Sequence, residues 1–349
     1  MNNKNSQLIP LWITKKRVNQ NQDDTNNKKL QMQKLFIIFF VLTCLSCSGQ
    51  KTEKVIVFHE DPFDLYANID KDSTTLFYEV IIPSAKPVGV LVILGGTYDL
   101  IPDIKKQITL HTLAAKKNLL IIFPSINYGT TKSFAEYHFL DTIFQQVVKK
   151  YKVPKDKFVI GGFSGGGMLA LSYAERANKF KDSTYIVPKA VFGVDPPVDY
   201  AHLWDHCVND IERNVSDMAV QESKAIMEEY IREFGGSPKE HPENYIEYSI
   251  YSHSEKDGGN AKYLINTPVL IYTEPDVMWQ LKNRQRDFYD MNCLDQSAMI
   301  NFLQLHANKN SELITTHNKG RRLDGRRHPH SWSIMDSQQC LNWIMKQLE

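Results

Sequence analysis

Phe158-Val159-Ile160-Gly161-Gly162-Phe163-Ser164-Gly165-Gly166-Gly167 runs directly into Met168-Leu169-Ala170-Leu171-Ser172-Tyr173-Ala174. An apolar run, a serine walled by glycines and a helix-forming stretch follow one another, which reads as strand, sharp turn, helix. Gly162, Ser164 and Gly166 satisfy GxSxG, a pattern in which glycines on either side of the serine let strand and helix approach without Cβ clashes. Such a turn lifts the Ser164 hydroxyl out at the end of a sheet. It also aims the Gly165 N–H and the N-terminus of the new helix at whatever the hydroxyl attacks. A nucleotide loop does not fit, because no lysine stands where a Walker loop needs one and there is no GxGxxG.

With its strand before and its helix after, this stretch resembles the nucleophile turn of the α/β-hydrolase family, and the remainder of the chain can be read against that resemblance. At 349 residues, 42% hydrophobic and 23% charged, the chain is long enough to bury a full core as one large domain or a domain with an insertion. Its 41 Lys and Arg against 40 Asp and Glu give no global reason to bind nucleic acid or an anionic membrane, so any electrostatic recognition must be local.

Strand-like runs occur at 54–58, 75–82, 89–94, 118–124, 158–163, 189–194, 268–273 and 311–316, and those in the middle are continuously apolar, as strands covered on both faces are. Helical patterns separate several of them, at about 104–117 and at about 134–151, where Phe139, Leu140, Ile143, Phe144, Val147 and Val148 form an i, i+3, i+4 stripe. A last helix carries Ile334, Leu341, Ile344 and Leu348. Strand alternating with helix implies a mostly parallel sheet with right-handed crossovers. The expected fold class is α/β: an eight-stranded, mostly parallel sheet flanked by helices, with a helical segment at 200–262 inserted after the sixth strand. The core then comprises 54–199 and 263–349. The resemblance makes the insertion a cap, and its thirteen acidic against six basic residues would disfavour polyanions.

Residues 1–31 are polar and lack apolar periodicity, and are read as a disordered leader or a mis-assigned start. From Met32 a short positive head and the apolar run 35–43, too short to span a bilayer as a helix, have the form of a secretory signal peptide. Leu45-Ser46-Cys47 is similar to a bacterial lipobox, with Cys44 a competing acceptor, so residues 32–47 imply export and a lipid anchor on Cys47. The remaining Cys207, Cys293 and Cys340 are widely spaced and odd in number, neither a disulfide framework nor a zinc pattern.

A nucleophilic serine needs a base, and the base needs a carboxylate to fix its tautomer. The resemblance implies the chain order serine, acid, histidine. It places the acid in the turn after the seventh strand, Thr273-Glu274-Pro275-Asp276, with Asp276 the first choice, Glu274 the second, and Asp195 beyond the sixth strand a further alternative that some members use. It places the base in the loop before the last helix, at His330, with His328 as runner-up. The second oxyanion donor would be the N–H of Thr97, in the turn Gly95-Gly96-Thr97, beside that of Gly165. Two further constellations stand out. His202 and His206 lie at i, i+4 without the glutamate of HExxH, and Lys319, Arg321, Arg322, Arg326 and Arg327 form a basic run. The first is read as a helix surface rather than a metal site. The second is read as a solvated hairpin, with a substrate carboxylate or phosphate, or lipid headgroups, as its other occupants.

The expectation is an exported serine hydrolase, best an esterase acting on a small or medium acyl substrate, with no cofactor. An amidase or peptidase of the same fold and a noncatalytic binder on a hydrolase scaffold are the alternatives.

Overall fold

Eight strands form one sheet in the computed structural model, in the order β1-β2-β4-β3-β5-β6-β7-β8. They are β1 (Lys51–Ile56), β2 (Phe77–Ile82), β3 (Gly89–Leu94), β4 (Leu119–Pro124), β5 (Phe158–Phe163), β6 (Ala190–Val194), β7 (Val269–Thr273) and β8 (Glu312–Thr315). The structure describes residues 51–57, 65–66, 76–127, 135–180 and 182–349. The leader, the signal-like stretch and its Cys44 and Cys47 lie outside the described residues.

Strand β2 pairs antiparallel with both β1 and β4, and every other pairing is parallel. The sequence explains which strands lie where. Every residue of β3, β4, β5, β6 and β7 is buried, and these are the continuously apolar runs, whereas no residue of the edge strands β1 and β8 is fully buried. Leu91, Ile93, Ile121 and Phe123 project to one face and Val90, Val92, Leu120 and Ile122 to the other, so one sheet feeds two cores.

Helices cover both faces. Helix α1 (Ile101–Gln107) and α2 (Leu110–Lys116) occupy the region expected as one helix, and the break falls at Ile108, which is extended, while Ser337 Oγ accepts from Thr109 N at 3.3 Å. Helix α3 (Ala135–Tyr151) buries Phe139, Leu140, Ile143, Phe144 and Val147 of the stripe read from the sequence and leaves its sixth member, Val148, half-buried. Helix α4 (Gly165–Lys179) starts at the serine turn.

Between β6 and β7 the chain adds α5 (Tyr200–Arg213), α6 (Asp217–Phe234), α7 (Pro242–Tyr248) and a 3-10 turn (Gly259–Leu264). Asp199 and Ser216 cap α5 and α6 by accepting from backbone N–H groups, and Gly235, at φ 89°, ends α6. These helices share an aromatic cluster of their own, Tyr200, Tyr230, Phe234 and Tyr245.

After β7 come two helices with no counterpart in the sequence reading, α8 (Val277–Arg284) and α9 (Asn292–Leu305), and the chain closes on α10 (Ser337–Leu348).

Candidate active site

The serine turn is a close-packed junction. Ser164 adopts φ 51° and ψ −120°, a conformation costly for a non-glycine residue, on the order of 1–3 kcal/mol. The turn is held by Ser164 N donating to Val194 O at 2.9 Å and Met168 N donating to Ser164 O at 3.0 Å. A Cβ on Gly166 would sit 2.3 Å from Gly95 O, and one on Gly162 would sit 2.5 Å from the Gly166 carbonyl carbon. Glycine at both positions is therefore what lets β5, α4 and the turn after β3 touch.

Ser164 Oγ lies 3.0 Å from His330 Nε2, and His330 Nδ1 lies 2.6 Å from Asp195 Oδ2. A carboxylate only accepts, so Nδ1 carries the proton and Nε2 is left to accept from the serine hydroxyl. Asp195 is itself held firmly. Its Oδ1 accepts from Thr273 Oγ1 at 2.9 Å and from Gln296 Nε2 at 3.1 Å, its carbonyl accepts from Asn292 Nδ2 at 3.1 Å, and its N–H donates to Tyr272 O at 2.8 Å. The Phe163 ring packs on the imidazole of His330 with centroids 4.6 Å apart.

The first choice of acid is corrected by this geometry. Asp276 does not face His330. It is the N-cap of α8, accepting from Trp279 N at 3.0 Å, and its other oxygen is paired with Arg327. Glu274 is buried and accepts from Thr316 Oγ1 and Lys319 N, both at 2.9 Å, and from Gly320 N, while also pairing with Arg327. The two carboxylates after β7 thus clamp the segment that leads to His330, and the runner-up Asp195 takes the place expected for Asp276. The turn after β7 is not a free loop, because a helix starts in it and consumes the aspartate as its cap.

His328, the runner-up base, faces elsewhere. Its Nδ1 donates to His330 O at 2.9 Å, and Nε2 lies 3.3 Å from Arg284 Nη2. Burial, helped by the charge of Arg322 beside it, pushes its imidazole down to about 2, so it stays neutral.

The turn after β3 comes up to the serine. A Cβ on Gly165 would lie 3.3 Å from Thr97 Oγ1 and 3.9 Å from Thr97 N, so Thr97 lies beside Gly165. Asp99 fixes that turn, accepting from Gly96 N at 3.0 Å and from Trp332 Nε1 at 2.8 Å, and burial raises its carboxyl above the ordinary value. The histidine pair His202 and His206 splits: His202 Nδ1 lies 2.8 Å from Asp295, whereas His206 Nε2 is 3.6 Å from Asp210. The ligand atoms of Asp199, His253 and Asp295 come within 4.8 Å of one another. The three expected lone cysteines are free thiols.

A cavity of about 360 Å3 opens on this arrangement, lined by Thr97, Ser164 and His330 at one place and by Met168, Leu203 and Tyr230 toward the inserted helices. Sequence reasoning did not reach Gln296, Asn292, Thr273 or Asp99. The i, i+4 spacing of Asn292 and Gln296 was the one available signal, and it is legible only once a helix is known to span them.

No protein-family model matches the sequence, and no curated protein matches it significantly. Solved structures do resemble it in shape. S-formylglutathione hydrolase from Agrobacterium tumefaciens aligns over 87% of this chain and 98% of its own, at 12% identity and a TM-score of 0.51. FphF, a fluorophosphonate-binding serine hydrolase of Staphylococcus aureus, aligns over 86% of this chain and 99% of its own, at 13% identity and a TM-score of 0.50. Carboxyl esterase 2 from the mycorrhizal fungus Tuber melanosporum aligns over 87% of each chain, at 12% identity and a TM-score of 0.51. Identities this low speak for the architecture alone, and with the eight-stranded sheet they make the fold of this chain that of the α/β-hydrolases.

Proposed function

We propose that the protein is a serine hydrolase that cleaves carboxylic esters through an acyl-enzyme on Ser164. The observation that carries this reading is the pair of hydrogen bonds, 2.6 and 3.0 Å, that joins Asp195 to His330 and His330 to Ser164 at the wall of a cavity. Ser164 Oγ attacks the substrate carbonyl carbon while His330 Nε2 takes the hydroxyl proton, and Asp195 stabilises the imidazolium that forms. The tetrahedral oxyanion accepts from the N–H groups of Gly165 and Thr97, each such donor being typically worth about 3 kcal/mol in the transition state. His330 then protonates the departing alkoxide, and water, deprotonated by the same imidazole, hydrolyses the acyl-enzyme.

A fluorophosphonate probe tests it. The wild type is expected to take the label covalently and Ser164→Ala to take none. Absence of label on folded wild-type protein sinks the proposal in favour of a noncatalytic scaffold.

Among the described residues no helix is long and apolar enough to cross a membrane. We also propose, from the sequence of residues 32–47, that the chain is exported and acylated on Cys47, which would tether the domain at a bacterial membrane. Radiolabelled palmitate should enter the expressed wild type and not Cys47→Ser; equal incorporation in both rules this out.

A further inference from the structure

Arg176, Arg284, Arg286 and Arg322 line the cavity, and Arg176 lies over the rings of Tyr137 and Phe180. Arg286 makes a two-pronged pair with Asp210, and Arg213 pairs with Asp290. Arg327 sits between Glu274 and Asp276, Arg326 reaches Asp324, and Arg321 donates to the Gly320 carbonyl at 2.9 Å. Arg284 and Arg322 are different.

The side chain of Arg284 is only 7% exposed, yet its nearest carboxylate oxygen, on the largely exposed Glu222, is 3.7 Å away, and its other contacts are neutral, the ring of His328 at 3.3 Å and the face of Trp279 at 5.9 Å from the ring centroid. The guanidinium of Arg322 makes no hydrogen bond or ion pair among the described residues, although a turn fixes its backbone through Arg322 N donating to Arg326 O at 2.9 Å. Both side chains line the cavity that holds Ser164 and His330.

A half-buried guanidinium with no protein partner, as at Arg322, and a buried one with only a long ion pair to an exposed carboxylate, as at Arg284, are each left with bonding capacity to spare. Burial holds both arginines below their ordinary value, in Arg284 with help from neighbouring Arg286. An anion entering from solvent would restore what burial removed.

We infer that the substrate carries a carboxylate, and that Arg284 and Arg322 hold it at the basic end of the cavity while the ester is presented to Ser164. This rests on the hydrolase reading above. The planar, forked guanidinium matches a carboxylate with two parallel N–H···O bonds. One negative charge suits the surroundings better than two, because Glu222 and Asp99 already contribute to the field at Arg322 and would repel a dianionic phosphate. The basic run before His330 is thereby divided: Arg322 faces the cavity, while Arg321, Arg326 and Arg327 are engaged by the protein itself.

The experiment compares matched esters on the purified protein. On the acyl side, p-nitrophenyl hydrogen glutarate is set against p-nitrophenyl pentanoate; on the leaving side, 4-acetoxybenzoate is set against its methyl ester. In at least one pair the charged member is expected to have the higher kcat/KM, on the order of 10- to 100-fold, as charge-assisted hydrogen bonds allow. That ratio should fall toward one in Arg322→Gln and in Arg284→Gln, recover in part in Arg322→Lys, and stay at the wild-type value in Arg326→Gln, a surface control. If Arg284→Gln fails to fold, Arg322→Gln carries the test, its guanidinium having no protein partner to lose. Equal rates within both pairs, or a preference untouched by Arg322→Gln, overturn the inference. So does stronger competitive inhibition of pentanoate hydrolysis by inorganic phosphate than by glutarate. Turnover of neutral esters without preference sinks this inference alone, whereas no turnover together with no fluorophosphonate label sinks the hydrolase reading first.

Discussion

Asp195 is the residue on which the site turns. It takes φ 51°, a left-handed conformation that aspartate tolerates better than most residues, and this turn brings its carboxylate onto His330 immediately after β6 ends. Asp276 and Asp195 both follow a sheet strand at its C-terminal end, so type and position alone do not separate them; their hydrogen bonds do. Asp195→Asn should leave the fold intact and lower kcat on the order of 10^4-fold, because the amide favours the wrong imidazole tautomer. Asp276→Asn keeps an N-cap acceptor but loses the ion pair with Arg327, so it should cost stability of about 1 kcal/mol or less and keep kcat within about tenfold of wild type. Ester turnover and urea denaturation of the two variants check this, and the reverse ranking would return the acid's role to Asp276. His328 offers no rescue for a lost His330. A ring held near 2 by burial is too weak a base to take a serine proton at neutral pH.

Helix α9 is the element that holds Asp195 in place. One turn apart on it, Asn292 bonds the Asp195 carbonyl while Gln296, fully buried, bonds both the Asp195 carboxylate and the Pro196 carbonyl. The same helix carries Asp295, which accepts from His202 in α5 and from His253, so it also anchors the inserted segment. Gln296→Ala leaves Asp195 Oδ1 held by Thr273 alone and loosens the turn. A drop in kcat of roughly 10- to 100-fold, with KM little changed, is the expected result in steady-state kinetics. An unaltered kcat would mean that Thr273 alone suffices to orient the acid. Local signals were uneven at this scale. The stripe of α3 and the apolar runs of β3 to β7 are legible because burial on a fixed face forces a period onto the residues. The sequence of α9 mixes polar residues that serve the site with apolar ones that serve the core, which blurs that period.

Across the whole molecule, an inserted helix and the helix after the serine turn both bring carboxyl groups into the cavity wall. Burial holds Glu229 of α6 up at about 7 and Glu175 of α4 well above its ordinary 4.5. The folded chain therefore keeps protons that the unfolded chain has released, so stability present below about pH 4.5 is lost as pH rises toward 7 and beyond. Glu229→Gln should remove its part of that loss, on the order of 1–2 kcal/mol between pH 5 and 8 once partial exposure is allowed for. Urea denaturation across that range, wild type against variant, measures it; parallel stability profiles would show that Glu229 titrates normally in the fold.

The alternation of strand and helix, the serine turn with its glycines and the histidine ahead of the last helix all follow from residues adjacent in the chain, where period and turn chemistry act. Which carboxylate meets that histidine is another matter. His330 is 135 positions from Asp195 and far closer in sequence to Asp276, yet the nearer aspartate is taken up by the start of α8 and by Arg327. The unpaired state of Arg322 beside three engaged arginines is likewise invisible in a basic run of letters. Both outcomes depend on which distant groups the folded sheet and its helices bring within about 3 Å, and hydrogen bonds of that range are decided only when the tertiary packing is complete.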